Sequence, residues 1–232
     1  MGQQESEHDK DHDDRHRPEV MDGAFWDSMY EQRPALWSGT PNPQLVSEIS
    51  SLPPGSALDV GCGEGADALW LARAGWTVTA VDISSVALGR ARTNAAAEAE
   101  GSAAIESAAD GINWLQADLT TWTPPAPAFD LVSAQYFQLP NPPRSETLRR
   151  LGSAVAREGH LLVVGHHPGD ELTPSGNRRH PEVLYSPDNV TALFDPGQWR
   201  PVVSEARTRQ VSDRQGKPGE VTDTVVLLRK IG

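Results

Sequence analysis

A run of glycines and acids, LDVGCGEG from Leu58 to Gly65, has the residue types and spacing of a ligand-binding turn. Glycine permits a tight turn and lets a ligand approach the backbone closely; here the glycines are Gly61, Gly63 and Gly65. Asp82 ends the next apolar run, twenty-one residues after Gly61. An acid at that distance is placed to accept hydrogen bonds from two ribose hydroxyls, although it can also cap the helix that begins near Ser84. The pattern predicts a site for a nucleoside-containing ligand.

The spacing of this turn distinguishes between classes of cofactor. The glycines follow GxGxG rather than GxGxxG, and the acids Asp59 and Glu64 accompany them. A dinucleotide needs a helix N-terminus that is free to receive pyrophosphate. Acidic side chains instead favour a ligand that carries an ammonium and a sulfonium group.

Candidate substrate contacts follow two later apolar runs. In open α/β sheets, ligands bind beyond the carboxyl ends of the strands. A histidine there could take a proton from a hydroxyl, amine or thiol, or could only bind a loop carbonyl or solvent. The candidates are Gln135, Tyr136 and Phe137 after one run, and His166 and His167 after the next.

The positioning elements alternate along the chain in a way that predicts α/β architecture. Strands separated by helices of ten to fifteen residues imply right-handed crossovers and a parallel sheet, and two β-rich runs at the end predict a hairpin with an antiparallel strand. The predicted strands are Ala57–Val60, Trp76–Val81, Ile112–Gln116, Phe129–Ala134, His160–Gly165, Pro201–Val211 and Val221–Lys230, and the main helices are Ala66–Ala74, Ser84–Ala99 and Arg144–Ala156.

Three further segments complete the predicted organisation. Residues 1–19 contain seven acids, three basic residues and three histidines, which predicts a disordered acidic tail. Residues 20–232 are expected to form one domain, with a helical cap over 20–54, whose first helix ends near Pro34, and a core over 55–232. The cap carries Trp26, Tyr30 and Trp37, which could contact a substrate or pack in the core. The loop from Pro168 to Pro187 is longer than usual connections and is a candidate lid; it carries Asp170, Arg178, Arg179, His180 and Tyr185.

Composition excludes several classes of function. The 232 residues carry 20 Lys and Arg against 32 Asp and Glu, a net charge of −12 with a pI near 4.9. This charge argues against binding to nucleic acid or to an anionic membrane surface. No apolar stretch is long enough for a membrane span, and a lone cysteine, Cys62, excludes an intrachain disulfide framework and a multi-cysteine zinc site. We expect a cytoplasmic monomer or homodimer without a metal site.

The motifs together resemble those of class I S-adenosylmethionine-dependent methyltransferases. LDVGCGEG is similar to the first family motif, VDIS to the second, ADLTTW to the segment that meets the adenine, FDLVSAQYF to the fourth strand and GHLLVVG to the fifth. The resemblance covers about residues 24–230 and implies a Rossmann-like, mostly parallel seven-stranded sheet whose last strand is antiparallel, with helices on both faces. The opening FWDSMYEQRPALWSGTPN resembles the cap of the small-molecule branch, near the tellurite-resistance and thiopurine methyltransferases.

The resemblance also implies roles for individual residues. The three turn glycines and Cys62 lie against the methionine part of S-adenosylmethionine, where Asp59 fixes the turn or attracts the ammonium and Gln135 reaches the methionine backbone. Asp82 binds the ribose, and Ile83 packs against the adenine. Asp118 accepts from the adenine amino group, with Leu119 beside it, unless Asp118 only forms a turn before Thr120.

These observations predict methyl transfer to a small-molecule acceptor by direct in-line displacement. His166, His167 and Tyr136 are the candidate catalytic residues, and Trp26, Tyr30, Trp37 and Phe137 are candidate acceptor contacts. Three alternatives stay open: a protein that binds S-adenosylmethionine without catalysis, a methyltransferase that modifies proteins, and a nicotinamide-dependent oxidoreductase.

Overall fold

From residue 56 onward most of the strands are separated by helices, as the sequence predicts, whereas the third and fourth strands, and the last two, follow one another without a helix among the described residues. The computed structural model describes residues 21–99, 111–137, 139–169, 181–212 and 218–232. The helices in these ranges are α1 (Gly23–Glu31), α2 (Pro43–Ile49), α3 (Ala66–Arg73), α4 (Ser85–Ala99), α5 (Pro143–Ala154) and α6 (Pro187–Thr191), with a 3-10 turn at Pro181–Val183. The strands are β1 (Ser56–Val60), β2 (Thr77–Asp82), β3 (Asn113–Gln116), β4 (Phe129–Gln135), β5 (Val155–His166), β6 (Trp199–Ser212) and β7 (Pro218–Lys230).

All seven strands form one sheet, in the order β3-β2-β1-β4-β5-β7-β6. The pairs from β3 to β5 are parallel, whereas β7 is antiparallel to both β5 and β6. The predicted α/β, Rossmann-like sheet with an antiparallel last strand is therefore confirmed. The last strand lies inside the sheet, and β6 forms the edge.

The sheet is buried on both faces because successive side chains of a strand point to opposite sides. In β5, Leu162 and Val164 pack with α2, α3 and α4, while Leu161 and Val163 pack with α5 and α6. All four of these side chains are at most 1% exposed. Helices therefore cover both faces of the sheet.

The boundary between α5 and β5 differs from the prediction. The helix ends at Ala154, and the strand begins at once at Val155 instead of at His160. Phe129 pairs with Val155 but Leu131 pairs with His160, so the chain between them forms a bulge in the ladder. Glu158 has a positive φ of 66° there. A sequence pattern does not reveal this bulge because its residues do not alternate in polarity.

The β6–β7 hairpin extends beyond the rest of the sheet. Strand β5 ends at His166, opposite Asp223 of β7, whereas pairing of β6 with β7 continues as far as Ser212 and Pro218. The end of the hairpin therefore forms a wall beside the carboxyl ends of the parallel strands.

Some predictions concern residues outside the described ranges. These are the acidic tail of residues 1–19 and the part of the candidate lid that contains Asp170, Arg178, Arg179 and His180. Among the described residues, no helix combines the length and the hydropathy that crossing a bilayer requires.

Candidate functional site

A cavity of about 760 Å³ lies at the carboxyl ends of β1, β2, β4 and β5. The segment that contains α1 and the following loop covers one side of the cavity, and the end of β6 forms another. Of the predicted site residues within the described ranges, all but two line it: Trp26, Tyr30, Trp37, Asp59, Gly61, Cys62, Gly63, Gly65, Asp82, Ile83, Asp118, Leu119, Gln135, Tyr136, Phe137 and His166. The exceptions are His167, whose Nδ1 accepts a hydrogen bond from the N–H of Gly169 at 3.0 Å, and Tyr185, which is 2% exposed and donates to the carbonyl oxygen of Val164 at 3.0 Å.

The three glycines of the turn have positive φ angles and different surroundings. A Cβ on Gly61 would approach no atom more closely than Phe137 Cδ2, at 3.8 Å, so this glycine leaves space beside the cavity. A Cβ on Gly63 would lie 3.0 Å from the Tyr30 hydroxyl, and one on Gly65 would lie 2.8 Å from the Trp114 ring. The space beside Gly61 therefore leaves room for a ligand to approach the backbone, whereas packing explains Gly63 and Gly65.

Asp82 joins the glycine turn to the start of α4. Its Oδ2 accepts the Gly63 N–H at 2.8 Å and its Oδ1 accepts the Ser84 N–H at 2.9 Å. Ser84 Oγ in turn accepts the Ala87 N–H at 3.0 Å. A carboxylate oxygen can accept more than one hydrogen bond. Asp82 therefore orders the turn and still offers lone pairs to a ligand in the cavity.

Buried carboxyl groups with raised pKa values lie at one end of the cavity. Burial raises the pKa of Asp59 well above its usual range, and the nearby Asp67 and Asp82 raise it further. Burial also raises the pKa of Asp67 to about 6 and raises that of Asp82. The Cys62 thiol has a raised pKa because it is buried, and then because Asp59 and Asp82 lie nearby. This thiol is therefore not activated as a nucleophile.

Two buried acceptor atoms beside the turn lack a hydrogen-bond partner within the described part of the chain. They are Oδ2 of Asp59, at the end of β1, and Oε1 of Gln135, at the end of the neighbouring β4. The amide of Gln135 is oriented by a 2.8 Å hydrogen bond from its Nε2 to Ser133 Oγ. An unpaired buried acceptor is costly, so this arrangement favours a ligand with N–H donors.

Glu64 lines the cavity, but its carboxylate is bound to the cap and to Arg90. Its carboxylate accepts the N–H groups of Leu36 and Trp37, both at 3.1 Å, and pairs with Arg90 at 2.9 Å. Arg90 also donates to the carbonyl oxygens of Tyr30 at 2.6 Å and Arg33 at 2.7 Å. Since Arg90 neutralises Glu64, the acids left for a cationic ligand are those at the strand ends and Asp67 of α3.

We expect Arg90→Gln to loosen the cap while the sheet stays folded. The change leaves the Glu64 carboxylate, 9% exposed, without its ion partner and removes two bonds to cap carbonyls. The expected loss is about 1–3 kcal/mol of unfolding free energy, with faster amide hydrogen exchange at Leu36 and Trp37. Arg73→Gln, which breaks the exposed pair with Glu98, is the control and should cost at most about 1 kcal/mol. Equal losses in the two variants would contradict the anchoring role.

The cap aromatics divide into core and surface positions. Tyr30 is 3% exposed and accepts a 3.0 Å hydrogen bond at its hydroxyl from Trp37 Nε1, whereas Trp37 is 51% exposed at the cavity. Burial raises the pKa of Tyr30 above its usual range. Trp37 is therefore the side chain of this pair that can cover a bound molecule.

Asp118 forms the turn before Thr120 that the sequence left open as the alternative to adenine binding. Its Oδ1 accepts the N–H of Thr120 at 2.8 Å and the Thr120 hydroxyl at 2.7 Å. The side chain nevertheless lines the cavity. As at Asp82, the local hydrogen bonds orient a carboxylate that a ligand can also reach.

Sequence analysis missed the contribution of the hairpin. Arg209, Gln210, Val211 and Ser212 of β6 line the cavity. The Tyr136 hydroxyl donates to Asp223 Oδ1 at 2.8 Å and accepts from Arg209 Nη2 at 2.8 Å. Burial, together with the charge of Asp223, raises the pKa of Tyr136. Tyr136 is therefore held as a neutral hydroxyl, and the ring of His166 packs against it with centroids 4.6 Å apart.

Part of the chain is similar in sequence to known methyltransferases. Residues 57–159, less than half of the chain, match a family model described as a methyltransferase domain. A protein of Mycobacterium tuberculosis named as an uncharacterized methyltransferase is 38% identical over 107 residues, which cover 46% of this chain and 48% of that relative. The chain thus matches about half the length of the curated relative.

Solved structures share the fold over a larger part of the chain. A structure from work on the conversion of a disulfide bond into a thioacetal group in echinomycin biosynthesis is 21% identical, with a TM-score of 0.70 over 91% of this chain and 92% of that one. A DhpI–SAH complex is 20% identical, with a TM-score of 0.53 over 82% of this chain and 83% of that one. At these identities, the likeness shows the fold.

Proposed function

We propose that the protein is an S-adenosylmethionine-dependent methyltransferase that acts on a small-molecule acceptor. The observation that carries this proposal is the pair of buried acceptors, Asp59 Oδ2 and Gln135 Oε1, that have no hydrogen-bond partner among the described residues and lie beside the open side of Gly61. The α-ammonium of a methionine moiety supplies both the donors and the positive charge that such acceptors require. The match of the central residues to a methyltransferase domain supports the same conclusion.

The remaining residues of the cavity fit the nucleoside part of this cofactor. Asp82 would bind the ribose hydroxyls through the lone pairs that Gly63 and Ser84 leave open. Ile83 and Leu119 supply apolar surface for the adenine, and Asp118 supplies an acceptor for its amino group. The DhpI–SAH complex, which shares this fold, supports the choice of this class of cofactor.

Methyl transfer from the sulfonium is a direct displacement, so the protein contributes mainly by positioning the acceptor in line with the methyl group. The cap, held by Glu64 and Arg90, would limit the access of water to the cavity. His166 is the histidine that lines the cavity, and it is the candidate base for a hydroxyl or amine acceptor. A thiolate would need no base. Tyr136 would orient the acceptor because its hydroxyl is bound to Asp223 and Arg209.

A small acceptor suits the dimensions and charge of the molecule. Binding sites for small molecules commonly enclose about 300–1,000 Å³, and this cavity measures about 760 Å³. The net charge of −12 disfavours a nucleic-acid acceptor. The aromatic cap resembles that of the small-molecule branch near the tellurite-resistance and thiopurine methyltransferases, which supports a small-molecule acceptor.

Isothermal titration with S-adenosylhomocysteine (SAH), run beside NAD, tests the cofactor. We expect micromolar binding of SAH and no binding of NAD, because acids rather than a free helix N-terminus surround the turn. Labelled S-adenosylmethionine is then offered with thiols, phenols and selenite. A methylated product supports the enzyme. SAH binding without any product would favour a non-catalytic binder, labelling of basic peptides alone would favour a protein-modifying enzyme, and NAD binding alone would overturn the proposal.

Cofactor affinity should rise with pH between about 5 and 7. The pKa of Asp67 is about 6 because the carboxyl is buried, and that of Asp59 is raised for the same reason. The ammonium of the ligand favours the ionised carboxylates, so binding releases protons. The affinity therefore rises with pH until these carboxyl groups are already ionised in the free protein. The same raised pKa values mean that these groups stabilise the fold more at pH 4 than at pH 7.

Calorimetry in buffers of different ionisation enthalpy measures the protons released. Asp67→Asn should flatten the pH profile of SAH affinity between pH 5 and 7, whereas Asp188→Asn, on the surface at α6, should leave it unchanged. Affinity that falls as the pH rises would contradict the assignment of a cationic ligand to these carboxylates.

A further inference from the structure

Positive charge occurs at one position on the wall of the cavity. Among the described residues that line it, Arg209 is the only lysine or arginine. Asp59 and Asp82 lie at the ends of β1 and β2 and Asp118 follows β3, while Arg209 comes from β6 at the other edge of the sheet. The cavity therefore has carboxylates where the cofactor is proposed to bind and a guanidinium, paired with Asp223, at its opposite end.

The guanidinium of Arg209 is held in a fixed orientation. Its Nε donates to Asp223 Oδ2 at 2.6 Å and its Nη2 donates to the Tyr136 hydroxyl at 2.8 Å. Asp223 is 0% exposed and also accepts from Gln44 Nε2 at 3.1 Å. Although Arg209 belongs to the edge strand, its contact with Tyr136 brings the charge to the end of β4. The guanidinium therefore lies beside Tyr136, the residue proposed to orient the acceptor.

The donors of Arg209 are not all used by the protein. A guanidinium has five N–H groups in a planar arrangement, and the bonds to Asp223 and Tyr136 use two of them. Within the described part of the chain, the other three have no hydrogen-bond partner. The side chain is 30% exposed, so a bound molecule can reach them. The two Nη groups match the two oxygens of a carboxylate.

We infer that the methyl acceptor carries a carboxylate that binds Arg209, and that its nucleophilic atom is a different group directed toward His166. This inference rests on the proposed methyltransferase activity and adds the class of acceptor. A monoanion fits better than a phosphate dianion because Arg209 already shares its charge with Asp223. The bound carboxylate does not receive the methyl group, since the guanidinium withdraws its electron density.

Matched acid and amide probes test the inference. We use 4-hydroxybenzoate with 4-hydroxybenzamide, and 3-mercaptopropionate with 3-mercaptopropionamide. The probes are titrated into SAH-saturated protein by calorimetry and then offered with labelled S-adenosylmethionine. We expect the acids to bind at least tenfold more tightly than the amides, and the label to appear on the phenol oxygen or the thiol sulfur.

The variants must separate the charge of Arg209 from its structural role. Arg209→Gln alone would leave Asp223 buried without its ion partner, which can destabilise the fold. The double variant Arg209→Gln with Asp223→Asn removes both charges, and we expect it to bind acids and amides equally while its affinity for SAH is unchanged. Asp223→Asn alone retains the guanidinium and should keep the preference for acids.

Three results would overturn the inference. They are equal binding of acids and amides by the unaltered protein, absence of binding by every acid, and a preference for acids that survives in the double variant. The affinity for SAH in the same experiments reports on the proposed function separately. Normal SAH binding with no preference for acids would contradict the acceptor class alone, whereas loss of SAH binding in the unaltered protein would contradict the cofactor.

Discussion

Asp82→Asn is expected to weaken SAH binding about 5- to 150-fold, equivalent to about 1–3 kcal/mol, while the protein stays folded. The carboxylate contributes in two ways. It would accept hydrogen bonds from the ribose hydroxyls, and it holds the Gly63 and Ser84 N–H groups in place. An amide keeps the shape and one acceptor oxygen, but its NH₂ group faces an N–H donor. Calorimetric titration with SAH measures the loss.

The fold should tolerate this change because the buried carboxyl itself is costly. Burial raises the pKa of Asp82, so a neutral isostere removes a charge that the protein interior disfavours. We therefore expect a melting temperature within a few degrees of that of the unaltered protein.

Asp130→Asn is the matched control for Asp82. Oδ2 of Asp130 also accepts a backbone N–H and a side-chain hydrogen bond, both from Ser56 at 2.8 Å. Ser56 begins β1, so this carboxylate lies at the end of the sheet away from the cavity. We expect its replacement to leave SAH affinity unchanged. A loss as large as that of Asp82→Asn would mean that the sheet, rather than the ribose contact, determines the affinity.

Gly65→Ala is expected to lower the free energy of unfolding by about 2–5 kcal/mol, combining the cost of a left-handed backbone with that of overpacking. The backbone at Gly65 has a φ of +89°. An added Cβ would lie 2.8 Å from the Trp114 ring and 3.0 Å from the Cβ of Ala91, so α3, α4 and β3 would have to move apart. Thermal unfolding should show a decrease of about 5–15 °C in the melting temperature.

Gly39→Ala separates the two causes of this loss. Gly39 also has a positive φ, +72°, but no atom lies within 4 Å of its added Cβ. It should therefore show only the backbone cost of about 1–2 kcal/mol. If the two variants melted at the same temperature, contact with Trp114 would not be the reason for glycine at position 65.

The two variants also distinguish the roles of the glycine turn and of Asp82 beside it. Asp82→Asn should change ligand affinity more than stability, and Gly65→Ala should change stability more than affinity. We therefore expect Gly61 and Asp82 to act on the ligand, and Gly63 and Gly65 to act on packing. The resemblance alone implied that all three glycines lie against the cofactor.

The sequence by itself determined the sheet architecture and the position of the cavity. Apolar segments alternating with helices predicted the parallel strands, and parallel strands bring their carboxyl ends to one edge. Residues just after those segments, such as Asp82 and Gln135, could therefore be placed together without coordinates. These inferences succeed because they depend on local periodicity and on connections whose handedness is fixed.

The tertiary structure decided which side chains pair across distant segments. Glu64 could be a cofactor ligand by sequence, but its partner is Arg90 of α4. The site residue Arg209 was not found, because its role depends on the register between β6 and β7, and a shift of one residue would turn its side chain to the other face. Gln44 and Asp223 bond across 179 positions of the chain. Such pairings are set by packing of the whole sheet and cap, so no local pattern encodes them.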